Sequence, residues 1–572
     1  MSEHTVHETA KAAKSASRAL ALLSEERRNA ALEALAVALE EAHHELLAAN
    51  AEDHAAATTM ERNGELSAAA VARLKMDKAE LAEMVKQVRA VAKLADPLGR
   101  KLGAIELDDA GPQGSVEPMS QKRDMGHPGG LYLEKVSVPL GVLAVIFEAR
   151  PDAVTQIAAL ALKSGNAVIL KPGREVERTA EALVRVLREA LAEQGLPRDA
   201  VSLVLGRERV LELLGESKLV DLVIPRGPKS LVEYVQANTR IPVLGHSEGI
   251  CHIYVDRSCD EAMALRVIED AKCDYPAACN AVETVLVHRE IAKLFLPKLA
   301  GRLDAHGVTM HCDEGTFAIT TSGGIGPTDD WEGQPQAVTA PGGVVRAMDA
   351  RTGGDSGGSA SVTSGGIGAT DDWEGQPQAM VAPGGAVRAM DASGGDDSGG
   401  SASVVSGGVG PTDDWEGQPQ ALRAPGGVVH SVAAGAAKGK ICRTADWDKE
   451  YGALELGLAV VDSIEAAIEH IHKHGSAHTE SIITNDAAAA ERFLLEVDAA
   501  SVMHNASTRF ADGFRYGLGA EVGISTSKFH ARGPVGLEGL TTTKYVLRGD
   551  GHVAGDYRGE GARAFTHRRG AA

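Results

Sequence analysis

The stretch "VPLGVLAVIFEARPDAVTQIAALALKSGNAVILKPG", residues 138 to 173, constrains the fold of this chain more than any other. The run "LGVLAVIF" has no polar alternation, so a strand there must be covered on both faces. Pro151 then stands where the first turn of a helix tolerates a missing N–H, and the apolar residues change to helical spacing until Gly165. "NAVILKPG" returns to an apolar strand. A strand, a helix and a second strand in so short a space make a right-handed crossover in a parallel sheet, which excludes all-β and all-α architectures for this part of the chain.

The same alternation continues through a helix over 176 to 194, the strand "VSLVL", a short helix and the strand "VDLVIP", ending near 225. It starts again at "HIYVD", with a helix over 260 to 272, the loop "PAACN" and the strand "VETVLVH". Beyond 438 it resumes with "LGLAVVD", a helix over 463 to 474, "SIIT", a helix over 486 to 497 and "ASVMHN". A chain of 572 residues is too long for one hydrophobic core. Two doubly wound α/β domains, the second interrupted, account for the pattern. Near the N-terminus, Leu32, Leu35, Leu39 and Leu46 recur at helical spacing and predict one amphipathic helix over 24 to 50.

The interruption is repetitive. "TDDWEGQPQA" occurs three times, around Trp331, Trp373 and Trp415, with a period of 42 residues. Residues 320 to 437 hold 27 of the 64 glycines and almost half of the net charge of −21. Such a segment offers little apolar surface to bury, so it reads as a flexible or loosely structured insertion, with an interaction module as the alternative. A scaffold working through these repeats is therefore the competing function class. A smaller irregular stretch at 111 to 130 reads as a surface loop.

The acidic balance argues against nucleic acid or an anionic membrane as partner, while leaving room for a small anion in a local basic pocket. No run of about 18 apolar residues spans a membrane, and no secretory signal opens the chain. Six cysteines without CxxC pairs suggest neither a disulfide framework nor a zinc ribbon and fit a reducing, cytoplasmic compartment. The Ala/Ser/Lys-rich opening leaves organelle import open. "KPGRE" and "PRGPKS" are basic, glycine-containing turns where an open α/β sheet binds anions, or else solvated turns. No GxGxxG accompanies them. His470 and His474 are spaced to face one metal, but no third ligand accompanies them, so no metal is expected. In "CDYPAACNAVET", spacing alone leaves Cys273 and Cys279 as ordinary small hydrophobes.

A resemblance separates them. "VPLGVLAVIFEARPDAV", "SGNAVILKPG", "IPVLGHSEGICHIYVD", "DYPAACNAVETVLVH", "GSAHTESIIT", "HNASTRFADGFRYGLGAEVGIST" and "HARGPVGLEGLTTTKYV" resemble the glutamate-5-semialdehyde dehydrogenase (gamma-glutamyl phosphate reductase) family, and closely the reductase half of the bifunctional plant enzyme of proline synthesis. The family belongs to the aldehyde dehydrogenase superfamily. The resemblance implies a cofactor-binding domain over 1–250 (with loop 111–128) and a catalytic domain over 251–319 and 438–510. It leaves 320–437 as an insertion and makes 511–572 a return to the cofactor domain ending in an oligomerisation strand, "TTTKYVLR".

By the same resemblance Cys279 is the nucleophile, its backbone N–H an oxyanion donor, and Cys273 structural. Its thiolate would displace phosphate from L-glutamyl 5-phosphate, and NADPH would reduce the thioester. Arg150 stands where relatives carry an oxyanion-binding Asn and suits substrate phosphate, with an ion pair to Glu148 as the alternative. Lys171, Gly173 and Arg174 match the adenosine-ribose turn, and Arg174 in place of an acidic residue favours a 2′-phosphate. Arg226 and Gly227 match the turn near the pyrophosphate, and Glu450 the nicotinamide-ribose glutamate, although Gly452 departs from the family there. Glu248 lies near the position of the water-activating Glu of hydrolytic relatives, its role open. A homo-oligomer and a separate glutamate 5-kinase are the implied partners. The other enzymatic reading is a phosphate-independent dehydrogenase of another semialdehyde.

Overall fold

The computed structural model describes residues 5–108, 130–246, 248–321, 440–443 and 445–570. The expected surface loop up to residue 129 and, apart from residues 320 and 321, the repeat-bearing insertion lie outside the described residues.

Four strands form an all-parallel sheet that follows β1 (Lys101–Asp108) and β2 (Leu131–Pro139) in the chain. They are β3 (Val142–Phe147), β4 (Ala167–Pro172), β5 (Val201–Leu203) and β6 (Leu222–Arg226), in the order β5-β4-β3-β6. Every residue of β3 and β4 is buried, as their unbroken apolar sequence requires. The helix Asp152–Lys163 begins after Pro151, and Gly165 ends it at φ +71°. A Cβ at Gly165 would stand 2.9 Å from Leu98 and Pro139, so close packing and backbone conformation both require glycine there.

Two local expectations are corrected. The helix expected over 24 to 50 is two helices, Glu25–Glu41 and His43–Arg62, because Ala42, at ψ 8°, leaves helical geometry. Leu32, Leu35, Leu39 and Leu46 are nevertheless all buried in one cluster. The "VSLVL" strand is shortened to Val201–Leu203, since Gly206, at φ +88°, turns the chain into the helix Arg209–Gly215.

The second sheet has seven strands, all parallel: β7 (Cys251–Val255), β8 (Val282–His288), β9 (Thr309–Cys312), β10 (Ile441–Cys442), β11 (Glu455–Val461), β12 (Thr479–Ile483) and β13 (Ser501–His504). Their order is β10-β9-β11-β8-β7-β12-β13, so strands on both sides of the insertion interleave in one sheet. Separate apolar cores fill its two faces. A short pair, β14 (Ile524–Ser525) and β15 (Gly533–Pro534), follows. Ala520, Val522, Val535, Leu537 and Leu540 then enter the core of the first sheet.

β16 (Thr541–Arg548) pairs antiparallel with β2 along its whole length, at one edge of a four-stranded sheet completed by β1 and β17 (Arg568–Gly570). Tyr545 and Leu547 on that edge strand are 66% and 56% exposed. Among the described residues no helix is long and apolar enough to cross a membrane.

Candidate active site

The loop between β7's following helix, Glu261–Cys273, and β8 carries Cys279. Asp260 caps that helix at its start, and Cys273 is its last residue. Burial pushes the Cys273 thiol up to about 11, so it stays protonated at neutral pH. Cys279, six residues on, is half-buried.

Three contacts fix the loop. The Cys251 thiol, at the start of β7, donates to the Cys279 carbonyl at 3.2 Å. Asn280 donates to the Ala511 carbonyl at 2.9 Å and accepts from Arg509, which also pairs with Asp274 at 3.1 Å. Finally, Gly249 lies against the Cys279 backbone, where a Cβ would stand 2.0 Å from the Cys279 carbonyl oxygen. Among the described residues nothing accepts the Cys279 N–H, which leaves it available to an oxyanion.

Charged and imidazole groups surround the sulfur. Arg226, at the end of β6, donates to the Val522 carbonyl at 2.5 Å and lies within electrostatic reach of Arg150, Glu521 and Cys279. Arg226 thus stands at the turn that closes β6, as expected, and finds its carbonyl acceptor in the returning segment around Val522. Burial pushes the Glu521 carboxyl up to about 7, with Arg226 opposing the rise. His246 places Nδ1 2.8 Å from the Ile524 carbonyl, and burial depresses its pKa, so the imidazole is neutral at neutral pH. Its ring lies edge-on to that of His478, centroids 4.7 Å apart. A ring nitrogen of His246, one of His478 and Sγ of Cys279 all lie within 4.8 Å of one another.

Arg150 follows Ala149, whose φ of +48° is unusual for a residue with a Cβ. The Ala149 N–H donates to the buried Glu175 at 2.6 Å, which holds that conformation. Arg150 forms no ion pair with Glu148 or any other described carboxylate.

At the other end of the crevice, the first sheet reverses its winding between β3 and β6, the point where open α/β sheets take ligands. Lys171 is buried, which lowers its pKa, with Glu177 and Glu175 opposing. Gly173 leaves room for Glu175, and Arg174 is exposed and paired with Glu65. Gly227 packs against Leu231, and the helix Lys229–Asn238 that follows has no side-chain cap; its Leu231 and Val232 N–H groups donate to the Pro228 carbonyl, while those of Lys229 and Ser230 have no acceptor among the described residues and are open to an anion. These residues fit a dinucleotide.

Glu450 is drawn upward in pKa by burial, with the Gly249 N–H opposing, so it stands on the far side of the turn that touches Cys279. Its neighbours explain Gly452. The N–H groups of Tyr451 and Gly452 donate to Glu283 at 3.2 and 3.3 Å, Glu283 pairs with the buried Lys272 at 3.1 Å, and Gly452 adopts φ +59° to do so. Glu248 pairs with Lys229. His470 and His474 have ring centroids 4.7 Å apart, and His474 is held by Asp448 at 2.8 Å.

His246, His478, Glu521, Arg509 and Gly249 carry weight that the sequence reading did not assign. Only "GHSEG", with a histidine and two glycines just before an apolar strand, offered a local signal.

Residues 1–318 match the aldehyde dehydrogenase family. The chain is 40% identical over 556 residues to the gamma-glutamyl phosphate reductase of Natronomonas pharaonis, covering 97% of this chain and 96% of that protein. It is 41% identical over 557 residues to the enzyme of the same name from Synechococcus sp. strain JA-3-3Ab, covering 97% and 92%. The crystal structure of gamma-glutamyl phosphate reductase from Thermotoga maritima superposes with a TM-score of 0.69 at 30% identity, covering 96% of this chain and 100% of that one.

Proposed function

Because the chain belongs to the aldehyde dehydrogenase family, and within it to the gamma-glutamyl phosphate reductases, we propose that it reduces L-glutamyl 5-phosphate to L-glutamate 5-semialdehyde with release of phosphate, the second step of proline biosynthesis. The observation that carries the site assignment is the half-buried Cys279, held by Gly249 and Asn280 with its N–H unused and Arg226 within electrostatic reach.

Cys279 sulfur attacks the acyl carbon, the carbon–oxygen bond to phosphate breaks, and the thiol proton leaves with the phosphate. The Cys279 N–H holds the carbonyl oxygen as it becomes anionic. Arg226 stabilises negative charge on sulfur, and Arg150, free of any carboxylate among the described residues, takes the departing phosphate. A nicotinamide cofactor, when bound, supplies the hydride that reduces the thioester. As the aldehyde forms, sulfur departs as thiolate and takes a proton from solvent. No residue needs to activate water, which agrees with Glu248 being engaged by Lys229.

Lys171 and Glu450 hold the two riboses in this reading, with Gly173 and Gly227 giving the backbone its close approach and the uncapped helix Lys229–Asn238 facing the pyrophosphate. Arg174, exposed beside Glu65, exchanges that partner for a 2′-phosphate, and NADPH is preferred over NADH. A cytoplasmic location is part of the same proposal, since all six cysteines are free. So is a homo-oligomer joined through the exposed edge of β16, with a separate glutamate 5-kinase supplying the substrate.

The test is the reverse reaction. Oxidation of pyrroline-5-carboxylate by the purified chain, followed with NADP+ and NAD+ side by side, should require inorganic phosphate and run better with NADP+. Turnover without phosphate would overturn the acyl-phosphate assignment.

A further inference from the structure

His246, Cys279 and His478 come from three separate elements: the turn before β7, the loop before β8 and the start of β12. The Ile524 carbonyl can only accept a hydrogen bond, so His246 Nδ1 carries the proton and its Nε2 keeps a lone pair. His478 is fully buried, and its Nε2 has no hydrogen-bond partner among the described residues. A buried ring nitrogen without a partner has lost its hydration uncompensated, and a ligand would satisfy it.

We propose that these three side chains form a site for a soft, thiol-seeking divalent cation of the zinc class, whose binding reversibly stops turnover. One thiolate and two neutral imidazoles are a three-ligand set that leaves a fourth, tetrahedral position open. Bonds of about 2.3 Å to sulfur and about 2.0 Å to nitrogen put such ligand atoms about 3.5 Å apart, so binding draws the three side chains together from the observed spacing. Magnesium and calcium, which prefer oxygen ligands, do not fit this set. On binding, the sulfur–metal bond forms as the S–H bond breaks and the proton passes to solvent, with no change in oxidation state. The same sulfur lone pair attacks the acyl carbon, so cation and substrate exclude one another. The inference rests on the proposed role of Cys279 as nucleophile.

Cobalt(II) titration of the full chain without substrate reads the site directly. A thiolate-to-cobalt charge-transfer band with tetrahedral d–d bands should rise to one ion per chain, vanish in Cys279→Ser and survive in Cys251→Ser. His246→Gln and His478→Gln should each weaken binding about tenfold or more. Should the fully buried His478 variant fail to fold, the variant at the only partly buried His246 carries the same test. Zinc should displace cobalt and inhibit turnover, and a chelator should restore it. No band in the wild-type chain, a band that follows Cys251, or one indifferent to both histidines overturns the site. Metal-free Cys279→Ser activity separates the two readings: a turning-over variant refutes the nucleophile, whereas an inactive variant beside a bandless wild type refutes the cation site alone.

Discussion

The two parallel sheets carry their buried charge in different places. In the first, β3 and β4 are buried throughout with Lys171 as their one charged residue, and the buried Lys163 and Arg28, paired with Glu25 and Asp96, sit on the helices around them. In the second, buried charge sits in the sheet and beside it: His252 bonds Glu480 at 3.0 Å, and Lys272 pairs with Glu283. The charges lie where loops of the proposed site are anchored. Lys272 and Glu283 hold the backbone next to Glu450, and His252 adjoins Cys251, which holds the Cys279 carbonyl. Apolar packing gives the first sheet its stability. Buried ion pairs give the second its geometry, since they add little net stability over apolar replacements but fix direction.

The sharpest break in that contrast is at the nucleophile. Cys279→Ala should lower phosphate-dependent NADP+ reduction by about 10⁴-fold or more, whereas Cys273→Ala should leave it within about twofold of the parent, being a truncation of a protonated thiol at a helix end. Equal losses from both would mean that the loop has been misassigned.

Next in size is the buried pair. Glu283→Ala strands the Lys272 charge and should cost about 3–5 kcal/mol in denaturant unfolding. Leu143→Ala in β3 should cost about 2–5 kcal/mol by cavity formation alone. The double replacement Lys272→Met with Glu283→Leu separates the two effects: stability should recover while the KM for the cofactor rises, because Tyr451 and Gly452 lose their acceptor. An unchanged KM would show that the pair is only structural.

The same carboxyl predicts a pH dependence. Burial raises Glu283 from an ordinary 4.5 to about 7, so between those values the folded state holds more protons than the unfolded one. Its contribution to stability is therefore full below about 4.5 and declines as pH rises to about 7. Glu283→Gln should flatten the fall in unfolding free energy across that window, and a slope identical to the parent's would reject the assignment.

Gly249→Ala drives a methyl into the Cys279 carbonyl and should reduce turnover about 10²-fold with little change in the far-UV signal. The smallest effect is expected in the first sheet's crevice, where Arg174→Ala should reduce the NADP+ over NAD+ preference about tenfold. A preference that does not move would shift 2′-phosphate recognition to another cation.

The first sheet was readable because its strands are unbroken apolar runs and its helix carries Pro151 and Gly165 at the ends. The break at Ala42 was not, since alanine is the best helix former and only tertiary packing turns the chain there. At the site, residue types and spacing could not choose between two cysteines; family resemblance did. His478, Glu521 and Arg509 stayed hidden because their roles depend on neighbours about two hundred residues or more away in sequence, such as Cys279 and Asn280. Arg226 was legible as a residue at the end of β6, but its acceptor was not, because the Val522 carbonyl belongs to the returning segment.

That return sets the order in which a newly made chain can finish folding. A ribosome that has released the chain through β13 has delivered every strand of both parallel sheets, yet Val522, Leu537 and Leu540 are still missing from the first core. Asn166, buried beside β4, also waits for the Leu540 carbonyl, 2.8 Å from its side-chain amide in the finished protein. The first sheet to be synthesised is thus the last whose core is complete, and the second has all its strands while the first still lacks part of its core.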